Sequence, residues 1–318
     1  MTVVSWNDVE WDRRAKGEMD AEWQRLGNAA GTVDVGLNRV RVAPGKLPTP
    51  PHSHGASEEI YYVLAGSGLA WQDGEVHEVR PRDCVIHRAD EHEHTFVAGP
   101  DGLEYLVYGT RHRTEIGWLP RSRAIRIGWP WAEGRDDDPW DVEAAGEPLA
   151  YGEPAPRPDN IVNVDEVEHE TYRVFTTASL ATREKSVQAG FHWETLAAGE
   201  RGIPHCHSEE EEIFVILEGS GTLELTPSPQ REMAWGAKYE EFPVGPGSVI
   251  ARPPGTGISH SFLAGDEPLT MLIYGTRKPG DMCFYPRSSK IYFRGLGIIG
   301  RVEALDYFDG EPVDPDEQ

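Results

Sequence analysis

Two histidines separated by one residue and followed five positions later by a glutamate occur twice in this chain of 318 residues. His52, His54 and Glu59 return as His205, His207 and Glu212, each 153 positions on. Imidazole nitrogens and a carboxylate oxygen are the donors that hold divalent first-row metal ions. On an extended strand, residues i and i+2 leave the same face, so each His pair presents two imidazoles to one interior. The intervening Ser53 and Cys206 point the other way, which makes them non-ligands and Cys206 a packing residue. Each copy has two adjacent acids at the next strand. Glu59 and Glu212 are preferred over Glu58 and Glu211, because each directly precedes an apolar run and stands seven positions before a glycine, Gly66 or Gly219. The remaining acids, Glu209 to Glu211, read as a solvated loop.

Two imidazoles and one carboxylate hold an ion loosely, so a fourth donor is expected from another strand crossing the same interior. His94 fills that role in the first copy and His260 in the second. They open the blocks His94-Thr-Phe-Val-Ala-Gly and His260-Ser-Phe-Leu-Ala-Gly, 166 positions apart. His92 shares the strand face of His94 if that stretch is extended, which would put it behind the donors or at the lip of the site. His77, His87, His112, His169 and His192 have no counterpart and read as surface or ordinary core residues.

What must position these side chains is a β-rich frame. Frequent Pro and Gly, 25 and 34 of them, punctuate short runs of Val, Ile, Leu, Tyr and Phe, the texture of an all-β protein. Strands are predicted at Glu59 to Leu64, Val85 to His87, Leu103 to Tyr108, Glu212 to Leu217, Ser248 to Ala251 and Leu269 to Tyr274. Helical spacing occurs only over Arg13 to Arg25, where Ala15, Met19 and Trp23 recur every four residues and suggest a short amino-terminal helix. The repeat extends to Tyr108-Gly-Thr-Arg111 with Tyr274-Gly-Thr-Arg277 and to Pro120-Arg-Ser with Pro286-Arg-Ser. The offset grows from 153 to 166, and the 13 additional residues are assigned to an enlarged hairpin loop over Thr226 to Lys238. The expected organisation is a first domain over 1–131, an acidic, Pro-rich linker over 132–160, a second domain over 161–318, and a frayed acidic tail from Asp309.

Asp and Glu outnumber Lys and Arg by 54 to 30, a formal charge of -24. Such a surface repels phosphate backbones and anionic lipid, so neither nucleic acid nor a membrane is an expected partner. The amino terminus turns acidic before a signal-peptide core can form, which gives a cytoplasmic expectation. Cys84, Cys206 and Cys283 are too scattered for a disulfide framework or a Cys-x-x-Cys zinc site. Arg111, Arg277, Arg121 and Arg287 stand beside turn residues and read as anchors of strand ends, with a carboxylate clamp as the other role considered. Trp118, Trp129, Trp131 and Trp140 read as an interface seal between barrels or chains, and a homodimer is plausible.

These motifs resemble the cupin superfamily. From Gly199 the second copy follows the family's first motif throughout, with His205, His207, Glu212 and Gly219; in the first copy Gly45 lies one residue further from His52. The second motif is represented by Pro253-Pro-Gly255 before His260, whereas the first copy has Arg88-Ala-Asp-Glu-His-Glu before His94. The resemblance implies a bicupin: two tandem jelly-roll β-barrels with short flanking helices, each holding one divalent transition metal, with Mn, Fe, Ni, Co, Cu and Zn all compatible. Three neutral imidazoles and one carboxylate leave such an ion about one net positive charge and two adjacent open positions for a small, oxygen-rich substrate. The leading expectation is a metal-dependent oxygenase of the quercetinase-like kind, with Glu59 or Glu212 taking a substrate proton. A non-redox isomerase, lyase or decarboxylase is the first alternative, requiring a further acid or base over the site. Oxalate-decarboxylase-like bicupins differ in having the Glu one position nearer the His pair. A non-enzymic binder of a sugar-like ligand is the third reading.

Overall fold

The computed structural model describes residues 3–127, 138–305 and 308–311. Two antiparallel sheet systems correspond to the two sequence repeats. In the first, the strands Asp12–Lys16, Met19–Gln24, Val35–Val42, His94–Thr110, Glu59–Gln72, Asp83–His87 and Ile161–Asn163 lie side by side in that order. In the second, His169–Tyr172, Phe175–Ala181, Ala189–Leu196, Leu269–Thr276, Glu212–Glu218, Ser248–Arg252 and Val3–Ser5 follow the same plan. A three-stranded sheet of Glu240–Val244, Gly221–Pro227 and Ile258–Ala264 closes this second barrel.

The predicted strands are continuous apolar runs because both of their faces are buried. Tyr61 and Val63 point into the first barrel, while Ile60 and Tyr62 on the same strand enter a core shared by the two halves. Phe214 and Ile216 face the second barrel's interior, and Ile213 and Val215 enter the shared core. At its centre Tyr108 and Tyr274, the repeated tyrosines, stack with centroids 5.1 Å apart and planes within 7°. The runs end at Gly66 and Gly219, which have φ of +76° and +75°. A Cβ at either would come within 2.2 Å of the Gly102 carbonyl oxygen or 2.1 Å of that of Pro268, so only glycine fits the bend.

The halves also exchange strands. Val3–Ser5 pairs with Ser248–Arg252 of the second sheet, and Ile161–Asn163 pairs with Asp83–His87 of the first. Each half therefore completes the other's sheet edge.

Several local expectations are corrected. Arg13 to Arg25 is a hairpin, Asp12–Lys16 against Met19–Gln24, turning at Gly17. Met19 and Ala21 alternate into the interior, the spacing from Met19 to Trp23 is the strand period read twice, and Ala15 is exposed on the facing strand. The 226–238 insertion carries a helix, Pro229–Trp235, ended by Gly236 in the left-handed region. Glu210 and Glu211 are buried rather than solvated. Glu211 accepts hydrogen bonds from the Val33 and Asp34 amides of the first half, while Glu58 accepts from the Val187 and Gln188 amides and the Ser186 hydroxyl of the second. Within the expected linker, the helix Pro139–Ala145 is tied to the first half by Lys16 with Asp138 and Asp141. Trp129, Trp131, residues 132–137 and the tail from 312 lie outside the described residues. Among the described residues no helix is long and apolar enough to cross a membrane.

Candidate metal centres

Each barrel interior gathers its four sequence-predicted donors at one end, and backbone pairing fixes two of them. The His52 amide donates to the His94 carbonyl at 3.1 Å and the His94 amide donates back at 2.8 Å. His205 and His260 make the same reciprocal pair at 3.1 and 2.9 Å. His54 and His207 lie on two-residue strands, held by Ile116–Leu119 and Met282–Tyr285 respectively. Glu59 and Glu212 begin the strands that cross beneath. Glu58 and Glu211, one residue earlier, face the opposite way and grip the other barrel, which explains why only one acid of each pair reaches the interior.

In the first half, His52, His54, Glu59 and His94 place one ligand atom each within 4.8 Å of one another. Glu59 Oε2 lies 3.2 Å from His94 Nε2, 3.5 Å from His54 Nε2 and 3.9 Å from His52 Nε2. In the second half Glu212 Oε2 lies 3.0 Å from His260 Nε2, 3.5 Å from His207 Nε2 and 3.6 Å from His205 Nε2. One carboxylate oxygen therefore faces three imidazole nitrogens in each barrel. His54 Nε2, His207 Nε2, His260 Nε2 and Glu212 Oε2 are buried with no hydrogen-bond partner of acceptable geometry. Buried polar atoms left in this state need a partner, and convergent nitrogen and oxygen lone pairs fit a divalent cation.

The electrostatics raise the second histidine of each His-x-His pair, whereas the first is lowered at His52 and raised, against burial, by Glu212 at His205. Burial disfavours charge on His54, but Glu59 and Glu115 outweigh it and raise its pKa to about 10. His207, opposed by burial but set between Glu212 and Asp281, is raised to about 11. Burial, with neighbouring imidazoles, depresses His52 and His260 to about 3. Burial works against ionisation of Glu59 and Glu212, yet the facing histidines hold both well below the usual carboxylate range.

Behind the donors stand residues that the sequence reading did not select. Glu115 Oε1 approaches His54 Nδ1 at 3.5 Å, and Asp281 Oδ2 lies 2.7 Å from His207 Nδ1. An acid behind an imidazole orients the ring and strengthens its outward nitrogen as a donor. The signal was present, because Glu115 and Asp281 are separated by the same 166 positions as the fourth histidines. His87, expected to be an ordinary histidine, stacks on His94 with centroids 3.9 Å apart and planes within 6°. It is the cross-strand partner of Glu59, a place taken in the second half by Arg252 opposite Glu212. The Tyr61 hydroxyl donates to Glu59, and Phe214 is the corresponding residue in the second half. His92 turns outward to Asp73 at 2.8 Å. Arg111 and Arg277 do anchor backbone, at Thr32 and at Ala181 and Thr182.

The two cavities differ. The first, about 190 Å³, is lined by His52, His54 and Glu59 together with Trp118, Trp140 and Arg126. Trp118 and Trp140 thus line this site. The second, about 310 Å³, sets His205, Glu212 and His260 beside Glu194 and Tyr285 in a wall of Phe175, Phe214, Phe262 and Met271. Burial lifts Glu194 to about 7. Its counterpart by sheet register is Val40: Glu194 pairs with Met271 as Val40 pairs with Tyr105.

Comparisons with known proteins agree with this architecture. Residues 38–108 match the family model described as a cupin domain. A stretch of 92 residues is 35% identical to dimethylsulfoniopropionate lyase DddW of Ruegeria pomeroyi, spanning 28% of this chain and 58% of that protein. The structure is similar to oxalate decarboxylase of Lactobacillus farciminis in a formate complex, with a TM-score of 0.60, 13% identity and coverage of 90% of this chain and 88% of the other. Oxalate decarboxylase from Bacillus subtilis overlays with a TM-score of 0.58 at 15% identity, covering 86% and 75%. Residues 38–108 thus carry a cupin domain, the same barrel and donor plan is repeated in the second half, and the His and Glu groups of both halves could hold a metal ion.

Proposed function

We propose that the protein is a non-redox, metal-dependent lyase that cleaves a bond in a small carboxylate anion. His52, His54, Glu59 and His94 would hold one divalent ion and His205, His207, Glu212 and His260 the other. The bound ion would supply Lewis acidity, polarising a substrate oxygen and stabilising negative charge as it develops. The observation carrying this reading is Glu194, a carboxyl group in the cavity wall beside the second donor cluster. A lyase needs an acid or base over the reacting carbon in addition to its ligands, and Glu194 would be that group, standing in the cavity wall outside the four donors. As carboxylate it can take a proton from a carbon next to the substrate carboxylate; as the acid it can return one to a carbanion left by bond cleavage. The aromatic and apolar wall excludes water from the part of the substrate that does not reach the ion.

The similarity to a named dimethylsulfoniopropionate lyase supports the same direction, since it too breaks a bond in a small carboxylate. The decarboxylase likeness speaks for the fold. The reading therefore replaces the oxygenase expected from the donor set alone. The test is turnover of a panel of small mono- and dicarboxylates by protein loaded with Mn or Zn under strict anaerobiosis. Product formation at the same rate with and without dioxygen is expected. Turnover that requires dioxygen and consumes it would return the assignment to an oxygenase.

A further inference from the structure

The two donor clusters are duplicates in sequence but not in geometry. The first closes as one set of four. Among the described residues the second resolves into three groups: two share His205, one with Glu212 and His260 and the other with His207 and Cys283, and a third joins His207 to Glu210 and Asp281. Strand register explains why a thiol is there. Directly paired residues of antiparallel strands send their side chains to the same face, and His207 pairs with Cys283. Since His207 faces the barrel interior, so does Cys283. In the first half the partner of His54 is Gly117, which has no side chain to offer. Cys206 is one residue out of phase with the ligands and is in none of these groups.

Cys283 is buried, and so is His207, whose Nε2 has no hydrogen-bond partner of acceptable geometry. Its Nδ1 is occupied by Asp281, leaving Nε2 for an ion. The thiol, His205 and His207 each place a ligand atom within 4.8 Å of the others.

We propose that Cys283 is a thiolate ligand of the second centre, binding the ion together with His205 and His207, so that the two barrels hold chemically different metals. Binding replaces the sulfur–hydrogen bond with a sulfur–metal bond and releases the proton to solvent, with no change of oxidation state. A thiolate is a softer donor than any in the first centre. It biases the second site toward zinc, cobalt or ferrous iron and away from manganese and magnesium.

The inference rests on the metal reading of the clusters, and cobalt separates the two. Metal-free full-length protein is titrated with Co(II) while bound cobalt and the near-ultraviolet sulfur-to-cobalt charge-transfer absorption are measured together. Two cobalt ions per chain with the absorption are expected for the unaltered protein. The absorption should survive in Cys206→Ser and in His52→Ala, which loses one cobalt, and should vanish in Cys283→Ser and His205→Ala. Two bound cobalt ions without the absorption would overturn the role of Cys283 and leave the metal reading intact. Absorption that persists in Cys283→Ser would likewise overturn it. Failure of the unaltered protein to bind cobalt would remove both.

Discussion

Every imidazole in these clusters except His260 has one nitrogen turned to the other donors and a carbonyl or carboxylate behind the second. His54 and His207 are the informative pair, because their acids raise them to about 10 and 11. A histidine with a raised pKa is protonated at neutral pH in the metal-free protein, and the ion must displace that proton. Metal uptake by metal-free protein in weak buffer should therefore release protons, and apparent affinity should rise between pH 6 and pH 8. A pH indicator followed during metal titration checks the release; proton uptake, or affinity falling with pH, would contradict the arrangement. Glu194 makes a second residue-level prediction. Glu194→Gln keeps the size of the side chain but cannot exchange a proton, so kcat should fall by about 10²-fold or more, with bound metal and KM little changed. Loss of metal in this variant would instead make Glu194 part of the binding set. Which glutamate enters each barrel was legible from the apolar run that follows. The acids behind the rings were not selected, since the short strands that Glu115 and Asp281 precede, Ile116–Leu119 and Met282–Tyr285, were not among those predicted and their spacing has meaning only beside the repeat.

At the scale of elements, one-residue alternation gives neighbouring glutamates opposite tasks. Glu59 and Glu212 face the interiors, while Glu58 and Glu211 each bind backbone amides of the other half. Removing a carboxylate that satisfies buried donors leaves those donors without partners, which costs about 1–3 kcal/mol. Glu58→Ala and Glu211→Ala should each lose stability in this range by urea unfolding, with metal content unchanged; no loss would show that water replaces the carboxylate at no cost. The strands themselves were legible because they are apolar on both faces. The amino-terminal hairpin was not, because the turn at Gly17 set Ala15, Met19 and Trp23 at a spacing that a helix would also give. Nor could the strand exchange be read, since Val3–Ser5 and Ile161–Asn163 are three-residue strands without local signal.

At the scale of the molecule, the halves share a core built from the outward faces of both sheets, and each borrows an edge strand from the other. Expressed separately, residues 1–160 and 161–318 would each expose that face and an unpaired edge. Each half alone should aggregate or self-associate in size-exclusion chromatography, and co-expression should recover a 1:1 complex; two stable monomeric halves would contradict the shared core. The repeat made the duplication plain in the sequence, whereas the differences between the halves emerge only where strands meet: His87 against Arg252, Val40 against Glu194, and Gly117 against Cys283.

The central claim is that one chain carries two metal centres built from the duplicated His, His, Glu and His donors. Elemental analysis of protein purified without added metal, beside His52→Ala and His205→Ala, tests it most directly. Two equivalents per chain, falling to one in each variant, is the predicted result. Protein without bound metal, or variants that keep both equivalents, would contradict it.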